Sequence, residues 1–208
     1  QPARRISSAG RALTREPQII DQKPSHPGWA FFSLRVASPC SDNTSFSAMS
    51  YNPHDRYYKK AKHDGYRSRA GYKVLELQQR YRLLRSGDNV VDLGAAPGGW
   101  LQVSAKIVGP KGKVVGVDLQ AMEPFRERNI TLLHGDARTG EIRARSRELL
   151  AGPADAVISD MSPKLTGIRD ADTARALELN RLALAVAREL LRPGAILLVK
   201  SFISDDLH

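Results

Sequence analysis

Five ionisable side chains recur at or just beyond the ends of short β-branched runs in this sequence. Asp92 lies in "NVVDL" (89–93), Asp118 closes "KVVGVD" (113–118), and Asp136 follows "NITLLHG" (129–135). Asp160 closes "DAVISD" (155–160), and Lys200 closes "AILLVK" (195–200). After the first run comes "GAAPGGW" (94–100), a turn with enough glycine for a ligand to approach the backbone. Carboxylates accept hydrogen bonds from hydroxyl, amino and ammonium groups, and a lysine among them supplies a cation or a base. A single acid at a strand end commonly caps the next helix. Five ionisable groups on one rim indicate a site.

The elements that must carry this rim are legible as alternation. The strand-like runs are separated by helical stretches at about 99–108, 140–151 and 172–191, and "GPKG" (109–112) and "RPG" (192–194) act as breakers. In the last helix Ala174, Leu177, Leu182, Leu184, Val186 and Leu190 recur near the helical period, and Asp170 or Asp172 can cap it. The strands are continuous Val/Ile/Leu runs, which suits a parallel sheet covered on both faces. The expected fold is therefore α/β, a Rossmann-like, doubly wound and mostly parallel sheet, whose ligands sit at the carboxyl ends of the strands.

Which ligand sits on the turn is decided by the rim. A phosphate loop needs Gly-Lys-Ser/Thr, and this turn ends Gly98-Gly99-Trp100. Gly94, Ala96 and Gly99 have the spacing of a dinucleotide fingerprint, with Asp118 where a ribose-binding acid belongs, so a nicotinamide-dependent oxidoreductase is one alternative. A sulfonium cofactor instead needs acceptors for a ribose, an adenine amino group and an ammonium. Asp118 suits the ribose, Asp136 the adenine, and Asp160 lies toward the methyl group. Pro97 and Trp100 also depart from the dinucleotide pattern, although Trp100 equally suits packing behind the turn.

Taken together, "YRSRAGYKVLEL", "DLGAAPGGW", "GVDL", "GDAR", "SDMSP" and "LLVKSF" resemble the FtsJ/RrmJ family over about residues 53–204. That resemblance implies a class I methyltransferase fold and S-adenosylmethionine-dependent 2′-O-ribose methylation of ribosomal RNA. It implies a cofactor set of Gly94, Ala95, Pro97, Gly98, Gly99, Trp100, Asp118, Leu119, Asp136, Ala137 and Asp160, with no metal. Of the family's Lys-Asp-Lys-Glu tetrad, Lys73, Asp160 and Lys200 match. The Glu and the last two strands of the sheet are expected beyond His208. Ser162 and Lys164 stand where members usually carry Ala and Asn.

The charge pattern points the same way. Lys plus Arg number 32 against 22 Asp plus Glu, a net charge of +10 that favours a polyanionic partner. Residues 56–85 hold ten basic residues against two acidic ones, with five tyrosines interleaved. Lys59, Lys60, Arg67 and Arg69 are the expected RNA contacts, while Val74, Leu75 and Leu77 suit a core. The family resemblance narrows this partner to ribosomal RNA or the large ribosomal subunit, and the chain is expected to act as a monomer. A second alternative is a non-catalytic RNA-binding module. The single cysteine, Cys40, excludes an internal disulfide and fits a reducing compartment, and no apolar run approaches the roughly 20 residues of a membrane span. Residues 1–48 mix Ser, Pro and Arg without a period and are expected to be disordered or a non-native extension. Residues 49–88 form a basic helical segment, and 89–208 form the methyltransferase domain. Met49 as a start favours bacterial cytoplasm, and the Arg-containing leader leaves a mitochondrial transit peptide as the alternative.

Overall fold

The structure, a computed structural model, describes residues 18–21, 29–35 and 65–202. In chain order the elements are β1 (Gln18–Asp21), β2 (Trp29–Arg35), α1 (Gly71–Tyr81), β3 (Asn89–Leu93) and α2 (Gly99–Val108). There follow β4 (Lys113–Asp118), β5 (Ile130–His134), α3 (Gly140–Leu150), β6 (Ala154–Ser159), α4 (Arg169–Leu190) and β7 (Leu191–Phe202). The strands form one sheet in the order β1-β2-β7-β6-β3-β4-β5. The five strands from β3 to β7 run parallel, as the continuous apolar runs require, so their carboxyl ends share one edge.

Successive residues of these strands face opposite sides of the sheet and fill two cores. Val90, Val114, Ile158 and Leu198 pack with Trp100, Leu101 and Val103 of α2 and Val74 and Leu77 of α1. Val91, Val115, Val157 and Leu197 pack instead with Leu150 of α3 and Ala183, Val186 and Leu190 of α4. The basic segment therefore shares a core with the sheet. Val74 and Leu77 are 2% and 1% exposed, as their apolar character predicts.

Three expectations change. First, the stretch 1–48 contains two strands, so the expectation of disorder is wrong for 18–21 and 29–35. β2 pairs antiparallel with β7 from Trp29 opposite Phe202 to Arg35 opposite Ile196, and β1 pairs antiparallel with β2. β7 therefore has a strand on each side. A window of local sequence cannot reveal a partner more than 150 residues away. Second, neither Asp170 nor Asp172 is the N-cap of α4, which is Ile168. Asp172 lies in the first turn, where its carboxylate accepts from the backbone N–H of Thr166 and Gly167 and from the Thr166 hydroxyl. Third, the stripe of α4 against the sheet consists largely of the small residues Ala176, Ala183 and Ala187, with Val186 and Leu190, while Ala174 is exposed.

Candidate active site

Backbone hydrogen bonds hold the strand ends in register around a cleft. The Gly94 and Ala95 N–H groups donate to the Val117 carbonyl, Gly135 N–H donates to the Asp118 carbonyl, and Asp160 N–H donates to the Leu93 carbonyl. The cleft between them is about 330 Å³, the low end of ordinary ligand sites. Of the expected cofactor residues, Gly94, Asp118, Leu119, Asp136, Ala137 and Asp160 line it. Ala95, Pro97, Gly98, Gly99 and Trp100 do not. Gln120, Arg138, Met161 and Leu179 line it without having been singled out in the sequence, and so do Ala96 and Leu182, which the sequence marks only as fingerprint spacing and helical period. The two leucines could have been found by asking which side of α4 its alanine stripe leaves over.

None of the rim acids caps a helix. The N-caps of α2, α3 and α4 are Gly98, Thr139 and Ile168, and the Thr139 hydroxyl accepts from Ile142 N–H. This removes the simplest non-functional account of acids at strand ends. Asp118 instead ties β4 to the turn, accepting from Ala96 N–H at 2.9 Å and from Gln120 N–H at 2.7 Å. Asp136 accepts from Arg138 N–H at 2.9 Å and faces the Arg138 guanidinium at 3.4 Å.

At the end of β6 the Asp160 carboxylate forms an ion pair with the Lys200 ammonium, which also donates to the Asp160 carbonyl at 3.3 Å. Both side chains are largely withdrawn from solvent, at 17% exposed for Lys200 and 23% for Asp160. Burial pushes the Asp160 carboxyl up from its ordinary value, against the opposing pull of Lys200. Lys73 lies on α1, with its ammonium 3.5 Å from Glu76, and is not among the cleft-lining residues. Asp92, expected on the rim, is instead fully buried within β3. Neither of its carboxyl oxygens has a hydrogen-bond partner among the described residues. Burial, followed by the neighbouring Asp160 and Asp118 carboxylates, raises its pKa well above the ordinary range.

The glycine turn is occupied by the protein itself. Gly94 adopts φ +73°, and a Cβ there would lie 2.7 Å from the Met161 side chain. Gly98 adopts φ +110°, and a Cβ there would lie 2.2 Å from the Phe125 ring. At Gly99 the Ser68 hydroxyl oxygen would be met at 2.2 Å. Phe125 and Ser68 therefore cover the start of α2, where a dinucleotide fold would seat its pyrophosphate. Trp100 is 3% exposed and belongs to the core behind the turn. On the basic segment Arg69 is exposed, and Lys59 and Lys60 lie outside the described residues. Arg67 is also exposed, yet its guanidinium is bonded to the loop after β4. Tyr66 and Tyr81 pack against the core, so they are not free stacking platforms. Among the described residues no group of three or more His, Cys, Asp or Glu could hold a metal ion.

Known proteins resemble this chain in sequence and in fold. Two curated proteins, both named "Ribosomal RNA large subunit methyltransferase E", come from Methanobrevibacter smithii and Syntrophobacter fumaroxidans. The first is 46% identical over 149 residues, covering 72% of this chain and 71% of its own length. The second is 47% identical over 160 residues, covering 77% and 81%. A third of the same name, from Halobacterium salinarum, is 49% identical, and the aligned part is only 61% of its length. A solved ribosomal RNA methyltransferase from Plasmodium falciparum superposes with a TM-score of 0.63 at 26% identity, over 68% of this chain and 81% of its own. The FtsJ-like methyltransferase family matches residues 66–208. With the parallel sheet, the acid-lined cleft and the Asp160–Lys200 pair, these matches establish that the chain belongs to the FtsJ-like methyltransferase family.

Proposed function

We propose that this chain transfers the methyl group of S-adenosylmethionine to a ribose 2′-hydroxyl of RNA, with large-subunit ribosomal RNA as substrate. The observation that carries the reading is the Asp160–Lys200 ion pair beside an acid-lined cleft. The cofactor's donors fit this set, because adenine amino, ribose hydroxyl and ammonium groups all call for acceptors. Asp118 and Asp136 keep lone pairs free after their backbone bonds. The covered start of α2 speaks against a nicotinamide dinucleotide.

When bound, the cofactor supplies a methyl group already activated by a positive sulfur, so positioning carries much of the rate. Asp118 holds the ribose and Asp136 the adenine. Asp160 orients the Lys200 ammonium, and that cation would stabilise the negative charge developing on the 2′-oxygen as its bond to the methyl carbon forms and the sulfur–methyl bond breaks, the hydroxyl proton passing to solvent. Lys73 is the third member of the set by family resemblance. Arg69, Lys59 and Lys60 serve the RNA backbone. The chain works as a monomer on ribosomal RNA or the large subunit, in bacterial cytoplasm, with a mitochondrion as the alternative setting. Among the described residues no helix is long and apolar enough to cross a membrane.

The test is Lys200→Ala, with methyl transfer to RNA followed alongside cofactor binding. Transfer falls by about 10²–10⁴ while binding persists. Activity near wild type removes Lys200 from the mechanism. A wild-type chain that binds RNA yet transfers nothing favours the binding-module reading.

A further inference from the structure

Arg67 lies just ahead of α1, in a basic stretch whose sequence points to RNA. Its contacts point elsewhere. One terminal nitrogen of the guanidinium donates to the Glu123 carbonyl at 2.7 Å, and the other donates to the Pro124 carbonyl at 2.6 Å. The same plane lies over the Phe125 ring, 3.6 Å from its centroid. The Arg67 backbone N–H donates to the Gln102 amide oxygen at 2.8 Å, and the Gln102 amide nitrogen donates to the Gly65 carbonyl. Both the main chain and the side chain of Arg67 are therefore committed inward.

What Arg67 holds is the loop 119–129. This loop begins in the cleft wall with Leu119 and Gln120, and Gln120 N–H is bonded to the Asp118 carboxylate. It ends at Asn129, whose amide donates to the Ala105 and Gly109 carbonyls at the end of α2. Between these two anchors, Phe125 lies on Gly98 of the glycine turn. Arg67 supplies the hydrogen bonds that fasten this middle section to the segment leading into α1. Only a planar fork can bond two successive carbonyls while stacking on the next ring, and lysine lacks that shape.

We propose that Arg67 is a positioning residue for the cofactor cleft, clamping loop 119–129 across the glycine turn, and is not a phosphate contact. This rests on reading the cleft as the S-adenosylmethionine site. The experiment compares Arg67→Ala, Arg67→Lys and Phe125→Leu with wild type. It measures KM for S-adenosylmethionine, kcat at saturating cofactor, S-adenosylhomocysteine affinity by calorimetry, and the salt dependence of RNA affinity, at a temperature where circular dichroism shows each variant folded. Arg67→Ala raises the cofactor KM and weakens S-adenosylhomocysteine about tenfold, with kcat within about twofold. Arg67→Lys fails to rescue, and Phe125→Leu added to Arg67→Ala costs no more than the worse single change, because both act through one contact. The salt slope of RNA binding stays at the wild-type value. The proposal is overturned if cofactor affinity is unchanged in Arg67→Ala, or if lysine restores it, or if the salt slope falls by about one. A wild-type chain that binds no S-adenosylhomocysteine overturns the cofactor reading of the cleft, and the clamp proposal falls with it.

Discussion

The glycine turn after β3 and the paired ends of β6 and β7 lie on the same edge of the sheet and are built in opposite ways. The turn is closed. Met161, Phe125 and Ser68 occupy the space its glycines leave, and no ionisable side chain in it faces the cleft. The β6–β7 end is charged, with Asp160 in the cleft wall and Lys200 bonded to it. The glycines of the turn therefore serve close packing between segments of the protein, and the discrimination between ligands falls to the rim. Two aspartates sharpen the contrast. Asp92 is in register with Ile158, two residues before Asp160 on the neighbouring strand. Both carboxyls are pushed up by burial, and only Asp160 has a cation to oppose it.

Substitutions in the two regions fail differently. The largest effect belongs to the charged end, where Lys200→Ala removes about 10²–10⁴ of methyl transfer without unfolding the protein. Next comes Gly98→Ala, which places a Cβ at positive φ and against Phe125. It lowers unfolding free energy by about 2–3 kcal/mol in a denaturant titration. A Gly98→Ala protein as stable as wild type would show that the turn is not closed by packing. Asp136→Ala comes third, weakening S-adenosylhomocysteine by about 10- to 100-fold in calorimetry. Its unfolding midpoint stays close to wild type, and a large loss of stability there would make Asp136 a structural residue.

The smallest effect tests Asp92. Its folded-state pKa lies above its unfolded value, so the folded state holds the proton across the window between them. Stability contributed by this group is present below the unfolded carboxyl pKa and is lost as pH rises toward the folded one. Asp92→Asn keeps the shape and cannot ionise. It flattens this part of the pH–stability profile and leaves the protein no less stable at neutral pH. A variant less stable than wild type at pH 7 would mean that the carboxylate form is the one the fold uses.

The parallel strands, the helices between them and the acids at the strand ends were legible because each is written in a window of a few residues. Helix α2 spans Gly99–Val108, as its breakers predict, and Val74 and Leu77 are buried as their apolar character predicts. The apolar period of α4 is legible in Val186 and Leu190, which are buried, and in Leu182 and Leu184, which pack against the core, whereas Ala176, Ala183 and Ala187 complete the stripe against the sheet and Leu179 and Leu182 also border the cleft. Trp100 was balanced between packing and ligand, and core packing decided it.

By itself, the sequence determined the class of fold, the edge at which the site lies and the residue types available there. Those follow from periodicity and from the chemistry of side chains, which need no partner to be read. Tertiary structure alone decided which of these residues meet. It paired Lys200 with Asp160, fastened Asp118 to Ala96 and buried Asp92. It laid β2 along β7 and bonded the Arg67 guanidinium to the loop after β4. Each of these is a contact between segments distant in the chain, and a hydrogen bond or ion pair exists only once folding has brought donor and acceptor together.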